Sequence, residues 1–122
     1  MEKEINTKPV YDLEERTFQF AKNVRLLLKY VDKTLANIED GKQLIRSSGS
    51  VGANYIEANE SLSKKDFQMR IKICRKEAKE SAFWIRLLTE TNENKYDGLL
   101  AGLLQEANEL KKIFSAILQK SI

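Results

Sequence analysis

Apolar residues in this chain recur in steps of three and four rather than in strict alternation, and the pattern falls into four stretches. In the first, Phe20, Ala21, Val24, Leu27, Leu28 and Val31 share one side of a helix. Asp12 reads as its N-cap, with Glu15 three residues on as in a capping box, so the spacing predicts a helix over 12–33. Residues 1–11 read as a lead-in, and Leu35 and Ile38 fall in a connection or an irregular last turn. The second stretch, 39–62, keeps the helical period through Leu44, Ile45, Ser48, Val51, Gly52, Tyr55, Ile56, Asn59 and Leu62. Ser63 is the next N-cap, with Asp66 at the third helical position, and opens a helix over 64–91. After the polar linker Thr91–Lys95, a wide apolar face from Leu99 to Leu118 predicts a helix over 97–120. Four helices with short connections predict an all-α fold, an antiparallel up-down four-helix bundle in a single domain, 1–122.

The middle of the second helix is a run of small residues: Ser47, Ser48, Gly49, Ser50, Gly52 and Ala53. An interior glycine costs roughly 1 kcal/mol against alanine in a helix, so two of them need a reason. The simplest is close approach of a neighbouring helix. A phosphate meeting exposed backbone, or a kink, are the alternatives.

The third helix has three sides on a wheel of about 100° per residue. Phe67, Ile71, Cys74, Ala78 and Ile85 form a core stripe, in which Cys74 reads as a small buried apolar residue. Met69, Ile73, Trp84 and Leu87 form a second apolar stripe, one more than an isolated bundle needs. They are the candidate interface with another copy of the chain; cover by a long loop or the N-terminal segment is the alternative. Lys65, Lys72, Lys79 and Arg86 recur every seven residues and Arg75 joins them, all facing away from the core.

Charge sharpens that picture. The net charge of the 122 residues is +3, while residues 63–91 alone hold 8 basic and 4 acidic groups, so the whole excess lies in this helix. Basic side chains in a row neutralise phosphates and release counterions, which makes Lys65, Lys72, Arg75, Lys79 and Arg86 candidate RNA or DNA contacts. A solvated helix face is the plainer alternative. In a ring-shaped oligomer the row would be repeated by symmetry.

Composition closes other routes. A hydrophobic share of 42% with 1 Pro and 5 Gly argues against disorder and against a turn-rich β fold. There is no histidine, which removes Ser-His-Asp and Cys-His pairs, histidine-containing zinc sites and the Glu-x-x-His motif of di-iron bundles. One cysteine cannot close an intrachain disulfide, and no apolar run has signal or membrane length. A cytoplasmic protein with no membrane association, cofactor or metal is expected. Glu57, Glu77 and Glu80 would have to converge on a metal ion in a pocket to support carboxylate chemistry. Ion pairs between helices or between subunits, drawing on Arg46, Lys76, Glu77 and Glu80 with Asn54 nearby, are the stronger expectation.

The pieces Gln43 to Arg46, Ser50-Val51-Gly52-Ala53-Asn54, Glu57-Ala58, Ser63 to Phe67, Lys76-Glu77-Ala78, Glu80-Ser81 and Trp84-Ile85-Arg86-Leu87-Leu88 together resemble a bacterial family of small four-helix-bundle proteins, the rRNA intervening-sequence proteins. The close match covers roughly residues 43–88. The resemblance implies an antiparallel bundle, often a homopentamer, with no enzymatic activity. It extends distantly to the accessory protein of diversity-generating retroelements, which implies nucleic acid and a reverse transcriptase as partners. This chain is less basic than those accessory proteins. The expected function is therefore a non-enzymatic homo-oligomeric bundle that binds RNA or DNA without base specificity. The alternative is a protein-interaction or scaffold module with no nucleic-acid ligand.

Overall fold

In the computed structural model, which describes residues 12–93 and 95–121, three short polar side chains set where helices begin. Asp12 accepts a hydrogen bond from the Glu15 N–H and opens α1, Leu13–Leu28. Thr34 accepts from the Asn37 N–H and opens α2, Leu35–Asn59. Ser63 accepts from the Asp66 N–H and opens α3, Lys64–Glu90. The fourth helix, α4, spans Asp97–Ser121. No strand occurs among the described residues, and the expected lead-in, residues 1–11, lies outside them.

Two boundaries differ from the sequence reading. α2 starts at Leu35, four residues before the expected Glu39, and ends at Asn59 instead of 62. Its cap, Thr34, is followed by asparagine at the third helical position rather than Glu or Gln, so no capping box marks it. Leu35 and Ile38 sit on its exposed side and break the apolar period there. α1 ends at Leu28 rather than 33, where Lys29 and Tyr30 donate to carbonyls three residues back and tighten the chain out of the helix. Val31 still reaches the core from the turn beyond, which extends the apparent period.

The helices pack antiparallel. Ser47 of α2 meets Ser81 of α3 at 2.8 Å between hydroxyl oxygens, and Arg70 of α3 donates to Asn54 of α2 at 3.0 Å. Asn59 near the end of α2 donates to Glu14 at the start of α1, and Gln68 of α3 donates to the Ser121 carbonyl of α4. α3 packs broadly on α2 and α4, α1 packs on α2, and α1 touches α4 only thinly. The core between them includes Phe20, Val24, Leu44, Val51, Ile71, Ile85, Leu100, Leu110 and Phe114.

The small residues of α2 serve close approach on two sides. A Cβ on Gly52 would stand 2.9 Å from Thr17 Oγ1 and 3.2 Å from Thr17 Cβ, so α1 fits against α2 only because that position is glycine. On the other side Ser47 and Val51 lie against Ser81 and Cys74 of α3. At one end of the bundle Asn37 and Asn92 exchange side-chain hydrogen bonds at 2.8 and 3.0 Å, tying the start of α2 to the α3–α4 connection. Lys95 reaches Asp32 at 2.6 Å across the same end. Among the described residues no helix is long and apolar enough to cross a membrane.

Candidate functional site

The side of α3 that faces the core carries Ile71, Cys74, Ala78, Ser81, Ile85 and Leu88, all buried, with Phe67 half-buried beside them. That leaves most of a 27-residue helix turned outward. Lys65, Lys72 and Lys79 are exposed and Arg75 is half-buried, and none of the four has an ion-pair partner among the described residues. Arg86 is different: its guanidinium lies 3.4 Å from Glu90 one turn on, an exposed pair that occupies part of its donor capacity. From Lys65 to Arg86 the row climbs about 32 Å at 1.5 Å per residue. Gln68, on the same side of the wheel, bonds to α4, so the row borders α4.

The opposite border of α3 meets α2 through a charged network. Arg46 of α2 donates to Glu77 at 3.3 Å and to Glu80 through its other nitrogen. Glu80 also accepts from the Trp84 indole N–H at 3.0 Å. That N–H, and then Arg46, hold the Glu80 carboxyl below the usual carboxylate range. Glu80 in turn raises the Arg46 guanidinium above its ordinary value. Glu77 is buried, and its carboxylate lies 3.3 Å from the Arg46 guanidinium. Lys76, an expected member of this cluster, is exposed and makes no ion pair among the described residues.

Of the candidate interface residues, Met69 is exposed while Ile73, Trp84 and Leu87 are half-buried. Trp84 is turned toward Glu80 and packs edge-on against Phe83, ring centres 4.9 Å apart. Phe83 itself is 54% exposed. It sits between the cationic and apolar rows of α3 and belongs to neither. Arg70 carries no signal of its own either: nothing in α3 alone shows that Asn54 waits opposite it.

These groups are not arranged for acid–base chemistry. Glu57 is exposed on α2, and Glu77 and Glu80 are both held by Arg46. Burial pushes the Cys74 thiol up to about 12, and its Sγ donates to the Val51 carbonyl, so a thiolate nucleophile is disfavoured there. Among the described residues no group of three or more Asp, Glu or Cys is placed to hold a metal ion. Two hollows open elsewhere. One of about 480 Å³ lies between α1 and α2 and is bordered by Arg25, Lys29, Lys33 and Lys42. Asp32 lines the same hollow, and Lys42 pairs with Glu39 beside it. The other, about 1420 Å³, lies between α1 and α4.

The model of the 23S rRNA-intervening sequence protein family matches residues 11–116. The chain belongs to this family. The match spans all four helices apart from the last turn of α4. Among solved structures, this family member is similar to a protein of unknown function from the S23 ribosomal protein family of Bacteroides thetaiotaomicron. The two are 29% identical, cover 86% of this chain and 96% of the other, and superpose with a TM-score of 0.74. No curated protein matches the chain.

Proposed function

We propose that this family member is a non-enzymatic, homo-oligomeric helical protein of the cytoplasm that binds RNA or DNA through the α4-side face of α3. The contacts are to phosphate and carry no base specificity. One observation supports this above the rest. Lys65, Lys72, Arg75 and Lys79 stand along one helix face without acidic partners among the described residues. Two acidic residues of the same helix, Glu77 and Glu80, are engaged by Arg46 on its other border, and Glu90 pairs with Arg86 only at the end of the row. A charge row kept clear of its own counter-ions is available to a polyanion. Exposed apolar side chains beside that row, Met69 and Phe83, support association between copies, and a closed ring would repeat the row around its surface.

The test is a titration of mixed-sequence single-stranded RNA at several salt concentrations. Each phosphate contact contributes about −0.7 to the slope of log affinity against log salt on single strands, so four cations per protomer give a slope near −3 per engaged protomer. Lys72→Glu/Arg75→Glu/Lys79→Glu should abolish most of that slope and weaken binding at least tenfold. Unchanged affinity and slope would leave the protein as an interaction module that works through protein contacts alone.

A further inference from the structure

α1 and α4 are neighbours, yet they are bridged chiefly where Arg16 reaches Glu106 and Glu109 at 2.7–2.8 Å. Along the rest of their length they stand apart around the 1420 Å³ groove. Leu27 and Leu103 form part of its floor, while Tyr30, 73% exposed, and Leu99, 60% exposed, stand in its walls. Gly98 and Gly102 lie one turn apart on α4, and nothing described comes within 4 Å of where a Cβ would stand on either. An open groove of this size leaves apolar side chains such as Tyr30 and Leu99 exposed along the bundle, the kind of surface that marks an interaction site. The far end of the groove holds Asp12, Glu15 and Glu106 against Arg16, which Glu106 and Glu109 already share.

The packing order α1, α2, α3, α4 puts the outer side of α2 and α3 across the molecule from this groove. There α3 presents Met69 and Phe83 exposed, Ile73 and Leu87 half-buried, and Lys76 exposed between them. Met69 to Phe83 is about 21 Å along the helix axis, and the groove from Asp12 to Tyr30 is about 27 Å along α1. The whole ridge, Met69 to Leu87, is about 27 Å as well, and its Lys76 is opposite in sign to Asp12 and Glu15 of the groove.

We infer that the α1–α4 groove of one protomer seats the Met69–Leu87 ridge of α3 from the next copy of this chain. This rests on the homo-oligomeric reading above and adds the two surfaces that carry it. Two different surfaces on opposite sides of a protomer make a heterologous contact, so copies follow one another head to tail. Phe83 and Leu87 enter the apolar part of the groove, beside Tyr30 and Leu99. Lys76 lies toward the carboxylates of the other end. The cationic row, on the α4 side of the ridge, stays open to solvent.

Head-to-tail contact has a signature that symmetric contact lacks. Gly98→Leu/Gly102→Leu fills the groove at positions with open space and raises helix propensity. Met69→Gln/Phe83→Gln strips the ridge at two exposed positions. In light scattering of the full chain at micromolar concentration, the wild type is expected as an oligomer and each variant alone as a monomer of unchanged helicity. Mixed one to one, the variants should give a heterodimer and nothing larger, because one keeps its ridge and the other keeps its groove. If the glycine variant loses helicity, Leu99→Lys blocks the same groove from its wall and takes its place in the mixture. Wild-type mass in either variant, or a mixture that stays monomeric, overturns the interface and leaves the oligomer reading standing. A monomeric wild type overturns both, whether residues 1–11 or a different protein fills the groove.

Discussion

Two glycines three residues apart in α2 show how little a residue type says without its neighbour. Gly52 faces Thr17, whose hydroxyl donates to the Leu13 carbonyl at 2.6 Å and is fully buried. A methyl group there would sit inside the contact distance of a side chain that cannot swing away. Gly49 meets only the end of the Arg25 guanidinium, at 3.2 Å, and that side chain is exposed and mobile about its own bonds. Gly52→Ala should therefore destabilise by about 1–3 kcal/mol, the range for overpacking a core. Gly49→Ala should stabilise by about 0.5–1 kcal/mol, the ordinary helix gain. Urea denaturation of both variants at neutral pH checks the opposite signs. Thr17→Ala in the Gly52→Ala background should recover part of the loss, which marks the contact as the cause. The small-residue run announced that something came close, but not that α1 did so at Gly52 while α3 did so at Ser47.

At the scale of helices, what the sequence could show was what each helix carries within itself. The periodicity of α3 and α4 located both to within a residue or so, because their caps and apolar stripes are local. The start of α2 was not legible, since Thr34 caps without the usual acidic partner and Leu35 and Ile38 point outward. Pairings between helices were legible as types and not as partners: Arg46 with Glu77 and Glu80 was within reach of a charge reading, Arg16 with Glu106 and Glu109 was not. The α2–α3 network also carries a pH signature. Glu80 is held below its ordinary range in the folded chain, so the folded state binds fewer protons than the unfolded state does in the acid range. Its contribution is complete above the ordinary carboxylate value and is lost as pH falls below it. Glu80→Gln should cost about 1 kcal/mol or less at pH 7, since Arg46 is partly solvated, and should flatten the loss of stability toward pH 3. Trp84 is the chain's single tryptophan and donates to Glu80, so its emission should shift on acidification before the chain unfolds. A shift of equal size in Glu80→Gln would mean that another group is responsible.

At the scale of the whole molecule, the modest net charge of +3 is the quantity that most restrains a nucleic-acid role. One protomer offers four cations without ion pairs among the described residues, on about 21 Å of helix, enough for weak and strongly salt-dependent binding. Assembly changes the arithmetic. Once one protomer is bound, the rows of its neighbours are presented to the same strand at high effective concentration, so affinity rises without any new kind of contact. Met69→Gln/Phe83→Gln removes no charge and leaves the cationic row untouched. Its affinity for a strand long enough to cross several protomers should fall at least about tenfold, and its salt slope should drop to the value of a single row. A strand of about eight nucleotides, which only one row can engage, should bind the variant and the wild type alike. Equal losses on the long and the short strand would mean that the ridge itself touches the nucleic acid, and the separation of α3 into a cationic side and an assembling side would be wrong.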